Sequence, residues 1–133
     1  MKDKTTDVDR LARHCSLWHG TRQQLETLAG HTLRIAYSAA VRLARRRMLP
    51  WCDLDCVAVD AAAWCVGAGL RRYGGRRCAW TTYVSAAAVR EAGRLADDRS
   101  MRRRLAELAR ELGDVIGGED EALEGLRRGH PPQ

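Results

Sequence analysis

The chain has 133 residues and a formal net charge of +6, with 45% hydrophobic residues, three prolines, five cysteines and no phenylalanine. That length suits one domain with a modest core, and the composition excludes a disulfide scaffold, a collagen-like repeat and a low-complexity chain. No apolar run approaches the ~20 residues that a membrane span requires, and the polar opening Met1-Lys2-Asp3-Lys4 does not read as a secretory signal, so the expected setting is cytosolic, with no membrane partner.

The pattern is helical from end to end. Val8, Leu11, Cys15 and Trp18 recur at helical spacing and predict a first helix over about 5–18, closed by Gly20. Thr21 is placed to cap a second, longer helix, along which Leu25, Leu28, Leu33, Ala36, Ala40 and Leu43 drift on one side. Pro50 stops that helix just beyond Arg47, because proline disfavours helix in the residue before it.

A third helix is expected after Asp53, taken as its N-cap, and running to about Arg72. Leu54, Val57, Ala61, Trp64 and Ala68 line one side; Cys56, Val59, Ala63, Val66 and Leu70 line another. A helix apolar nearly all round is either central or offers a face to a partner. After the break at Gly74-Gly75, a fourth helix is expected from Thr81 or Thr82 to about Asp97, packing through Val84, Ala88, Ala92 and Leu95. Ser100 is placed to cap a fifth, carrying Leu105, Leu108, Leu112 and Ile116. The expected fold is therefore all-α: a compact bundle of about five helices over 1–116, then a short C-terminal tail at 117–133.

Charge is distributed unevenly. Arg42 to Arg104 holds 14 arginines against 6 acids, about +8, whereas the segment after Leu112 is acidic. A basic middle of this kind suits a polyanionic partner; the plainer reading is a solvated, arginine-coated surface. On the fourth helix Trp80, Tyr83, Ala87, Arg90 and Arg94 are spaced to share a side. Rings followed by cations are what single-stranded nucleic acid needs, since rings stack on bases and arginine neutralises phosphate. The same spacing also fits a Trp80 that plugs the core and a Tyr83 at its rim.

The order of these parts resembles region 2 of the bacterial sigma factors related to the primary, housekeeping class, from about residue 33 to residue 99. The parts are the basic, small-residue helix Leu33–Arg47; Asp53-Leu54-Asp55 continuing to Tyr73; Gly74-Gly75-Arg76-Arg77; Trp80-Thr81-Thr82-Tyr83; and Val89-Arg90-Glu91-Ala92. The resemblance implies a sigma-like initiation factor or subunit that docks on bacterial RNA polymerase and contacts promoter −10 DNA. It would place Asp53, Asp55 and Asp60 at the polymerase-binding face. Trp80 and Tyr83 would then capture flipped bases, with Thr81 and Thr82 as polar contacts. Arg90 and Arg94, together with the basic turn at Arg76 and Arg77, would hold the DNA backbone. The chain departs from the family where two further aromatics are usual, at Ala86 and Ala87, and around Asp60, where Ala, Val and Trp replace polar residues. No helix-turn-helix for the −35 element is visible. These departures suit a reduced factor with a second subunit supplying −35 recognition. They equally suit a sigma-fold interaction module that regulates polymerase or another factor without reading DNA.

Neither an enzyme nor a cofactor is expected. The four histidines form no nucleophile–base pattern, and Gly74-Gly75 followed by arginine lacks the strand and Lys-Ser/Thr of a phosphate loop. Cys52, Cys56 and Cys65, with His14, Cys15 and His19, match no zinc-finger spacing, and cysteine commonly serves as a small buried hydrophobe, so no metal is expected.

Overall fold

A computed structural model describes residues 4–74 and 78–116, and every regular element among them is helical. In chain order these are α1 (Lys4–Trp18), α2 (Arg22–Arg45), a 3-10 turn (Trp51–Asp53), α3 (Leu54–Val66), α4 (Leu70–Tyr73), α5 (Trp80–Leu95) and α6 (Arg99–Ile116). The all-α expectation holds, with one more helix than expected because the third is broken. Gly75, Arg76, Arg77 and the 117–133 tail lie outside the described residues.

Local chemistry explains most of the helix ends. Thr21 caps α2 through a full capping box: its hydroxyl accepts the Gln24 N–H at 3.1 Å, and the Gln24 side chain accepts the Thr21 N–H at 2.8 Å. At the other end, Arg47 N–H donates to the Ala44 carbonyl and Met48 N–H to the Leu43 carbonyl. That is a Schellman closure, with Arg47 at φ 60° in a position usually given to glycine.

Three ends differ from expectation. α1 stops because His19, not Gly20, takes the left-handed conformation, at φ 58°. Gly20 instead leaves room for Cys15, whose Sγ would lie 2.7 Å from an added Cβ. The cap of α6 is Asp98 rather than Ser100: its Oδ1 accepts the N–H groups of Ser100 at 2.7 Å and Met101 at 3.3 Å. The third helix does not reach Arg72 but ends at Val66. The Trp64 ring lies against Gly69, so close that an added Cβ would sit 2.5 Å from it, and α4 begins only after this contact.

The core is built of many small residues. α5 runs through the middle with Trp80, Tyr83, Val84, Ala86, Ala87, Ala88, Val89 and Ala92 all buried, and packs against α2, α3 and α6. α2 contributes Leu28, Ala36, Ala39, Ala40, Leu43 and Ala44, and α6 contributes Leu105 and Ala109. Alanine on facing helices lets their backbones approach, which compensates for the scarcity of large side chains. No helix among the described residues is long and apolar enough to cross a membrane.

Candidate docking surfaces

The aromatic segment at the start of α5 is fixed from four directions. Ala79 has no side chain able to cap the helix, so the carboxylate of Asp9, on α1, accepts the Trp80 backbone N–H at 2.7 Å. An acid at that end is also favoured by the helix dipole. The Trp80 indole N–H donates to Thr32 Oγ1 at 2.8 Å, and the Thr32 hydroxyl donates to the Leu28 carbonyl at 2.7 Å. Tyr83 donates its hydroxyl to the Gly69 carbonyl at 2.7 Å, and Tyr73 donates to the Cys78 carbonyl at 2.8 Å. The rings of Trp80 and Tyr83 stack at 5.4 Å, with Tyr73 edge-on to Trp80 at 4.7 Å.

In this arrangement Trp80 fills the core, as the alternative reading of the same spacing allowed, and Tyr83 is buried beside it. Trp80 is 0% exposed and Tyr83 4%. Each already has its polar atom satisfied within the bundle, so neither ring offers a face to a base. Burial also holds the Tyr73 hydroxyl above its ordinary pKa. Asp9 and Thr32, which fix this segment, were not anticipated. They lie 71 and 48 residues from Trp80, beyond the reach of any local spacing.

The third helix has the opposite character. Leu54, Val57, Ala58, Ala61, Ala62 and Cys65 turn inward, while Asp55, Cys56, Val59, Asp60 and Ala63 are exposed. Val59 is 48% exposed, and Trp51, in the turn leading into the helix, is 60% exposed. Two of the three expected acids, Asp55 and Asp60, therefore flank an outward apolar strip. Asp55 beside the hydroxyl of Tyr37 on α2 raises the tyrosine pKa. Asp53, half-buried at the end of the 3-10 turn, holds the expected N-cap position of α3, but its side chain makes no capping hydrogen bond. Its Oδ1 lies 3.8 Å from Cys52 Sγ. Trp51 was missed because Pro50 marked the segment as a mere stop.

The expected DNA-contacting cations and hydroxyls divide between two grooves. Arg90 is half-buried, its guanidinium 5.7 Å from the Trp64 ring centre, and loss of solvent lowers its pKa. Arg94 is exposed and pairs with Glu91 at 3.1 Å. Both line a groove completed by Arg102 and Leu105 of α6. Thr81 and Thr82 are not in that groove. They line a second one with Ser85, facing Arg42 and Arg46 of α2. These two arginines were read as general basic surface, since nothing local links α2 to the start of α5. Arg76 and Arg77 fall outside the described residues.

Of the five thiols, Cys15, Cys65 and Cys78 are buried and Cys52 and Cys56 exposed. Burial pushes the Cys65 thiol up to about 12. Among the described residues no group of three or more His, Cys, Asp or Glu side chains could hold a metal. Comparison with family models, with curated proteins and with solved structures finds no match.

Proposed function

We propose that this chain is a sigma-region-2-like docking module of bacterial transcription. It engages RNA polymerase through the outer face of α3 and does not capture unpaired −10 bases through Trp80 and Tyr83. The observation that carries this reading is the exposure of Val59, Cys56 and Ala63 between Asp55 and Asp60. An apolar strip bordered by charge on a rigid helix is a common recognition surface, and it falls on the segment whose sequence resembles the polymerase-binding helix. Burial of both aromatic rings supports the interaction-module reading over the DNA-reading one. The module acts by binding alone, in the cytosol where the polymerase works.

Capture of purified polymerase by the tagged protein tests the proposal. Asp60→Arg leaves the helical fold intact and reduces capture at least tenfold. Unchanged capture by the folded variant removes α3 from the role.

Contact with promoter DNA, in partnership with a second subunit for the −35 element, is the second reading. The groove that brings Thr81 and Thr82 to Arg42 and Arg46 favours it. In that case, binding of fork DNA in the polymerase complex weakens with salt, and Arg42→Gln/Arg46→Gln flattens the slope of log affinity against log salt by about 2. An unchanged slope rules out backbone contact at this groove.

A further inference from the structure

Arg90 is a half-buried guanidinium that needs acceptors for its N–H donors. Among the described residues it makes no hydrogen bond and no ion pair; the structure sets it over the Trp64 ring instead. Its chain neighbour Glu91 points to a different side of the helix and is engaged by Arg94, at 3.1 and 3.5 Å. A second guanidinium, that of Arg102 on α6, reaches the Asp97 carbonyl at a long 3.4 Å.

Arg90 and Arg102 line one groove of about 440 Å³ along the seam between α5 and α6, a size typical of small-molecule sites. The lining holds three arginines and one acid, so two positive charges are unbalanced. Most of the remaining wall is apolar, including Leu105 and Ala109 of α6 and Ala87 of α5. A guanidinium that has lost part of its solvent beside such a wall favours an anion able to replace that solvent. A carboxylate does so with two parallel hydrogen bonds to the planar fork, and the wall accepts an aliphatic tail. Nucleic acid is the poorer match. The Trp64 ring lies against Gly69, Tyr83 and the Arg90 guanidinium, so the groove offers no ring on which a base could stack, and a sugar–phosphate chain gains nothing from leucine and alanine.

We propose that the α5–α6 groove binds a small amphipathic carboxylate of the medium-chain fatty acid class. Its carboxylate is held by Arg90 and Arg102, and its tail lies along Leu105 and Ala109. This site is separate from the α3 docking face and stands or falls without it.

The test is a titration of the full-length, isotope-labelled protein with sodium octanoate, read from the amide signals of Arg90, Gly93, Leu105 and Ala106 and the indole N–H of Trp64. These signals move and saturate. Half-saturation comes at a concentration at least about tenfold below that for acetate, the effect of burying roughly two methylene groups. Octanol, octylamine and inorganic phosphate each bind at least about tenfold more weakly than octanoate, because each lacks either the anion or the tail. Arg90→Gln weakens octanoate binding about tenfold or more, as expected for loss of a charge-assisted hydrogen bond. Ala106→Trp, at an exposed position on the rim, obstructs the groove and abolishes the shifts; it covers the case in which Arg90→Gln fails to fold. The proposal is overturned if octanoate leaves these signals in place, or if its shifts fall on Arg42, Thr81 and Ser85 instead. Octanol or octylamine binding as tightly as octanoate would reduce the groove to an apolar crevice, and acetate or phosphate doing so would reduce it to a charged surface; either result overturns the proposal. So does octanoate binding that Ala106→Trp leaves unchanged.

Discussion

α3 and α5 are written in nearly the same alphabet, chiefly alanine, valine and one tryptophan each, yet they occupy opposite positions. α5 is enclosed by α2, α3 and α6 and buries Trp80, Tyr83 and three consecutive alanines. α3 packs inward on α2 and α5 and leaves Cys56, Val59 and Ala63 in solvent. Hydrophobic periodicity identifies side chains able to be buried. How many sides of a helix acquire neighbours depends on contacts distant in the chain. Here α6 covers the side of α5 that α2 and α3 leave open, and nothing among the described residues does the same for α3.

The comparison breaks most visibly at Trp80. If α5 is the core helix, Trp80→Ala removes the largest fully buried side chain and lowers stability by about 3–5 kcal/mol, measured by urea unfolding. A loss within the range of an ordinary surface substitution would return Trp80 to the surface and restore the base-stacking reading.

A smaller effect tests the buried hydrogen bond. Thr32→Val leaves the indole N–H of Trp80 without its acceptor and costs about 1–3 kcal/mol. In a Trp80→Phe background the same change costs less, because no buried donor is orphaned. Equal costs in the two backgrounds would show that the 2.8 Å bond contributes nothing.

Gly69→Ala probes a place where Trp64 of α3 and Tyr83 of α5 meet, their ring centres 5.9 Å apart. The added methyl meets the Trp64 ring at 2.5 Å, and Gly69 also accepts the Tyr83 hydroxyl. Overpacking here costs about 1–3 kcal/mol and reduces the near-ultraviolet circular dichroism of the Trp64–Tyr83 pair. An unaltered spectrum would mean that the ring turns aside freely.

The elements that were legible in the sequence are those fixed by neighbours within a few residues. The Thr21 cap, the stop before Pro50 and the all-helical pattern all rest on local chemistry. So did the two-sided apolar character of α3, which correctly allowed for an exposed face at Cys56, Val59 and Ala63. What escaped was fixed from afar. Asp9 caps a helix that begins 71 residues later. Thr32 decides the fate of Trp80 across 48 residues. Arg42 and Arg46 join Thr81 and Thr82 only because α2 and α5 pack together. The spacing of Trp80, Tyr83, Arg90 and Arg94 predicted a shared side correctly in part, since Arg90 and Arg94 do line one groove. It could not tell that the first turn of that side faces inward.

The smallest expected effect on stability is at Val59, and it sharpens the comparison from the α3 side. The side chain is already 48% exposed, so its removal forfeits only part of the transfer energy of a valine. Arginine is the better helix former by a few tenths of a kcal/mol. Asp55 stands four residues earlier, the favourable order for an acid–base pair on a helix, which adds about 0.2–0.5 kcal/mol. These terms nearly cancel, so Val59→Arg changes stability by no more than about 0.5 kcal/mol. That corresponds to a shift of a few degrees at most in Tm for a domain of this size. The same substitution places a long cation in the middle of the outward apolar strip and weakens polymerase capture as strongly as Asp60→Arg does. A large fall in Tm would mean that Val59 is covered in solution and that α3, like α5, belongs to the core. An unchanged Tm with unchanged capture would leave the face exposed but deny it the docking role.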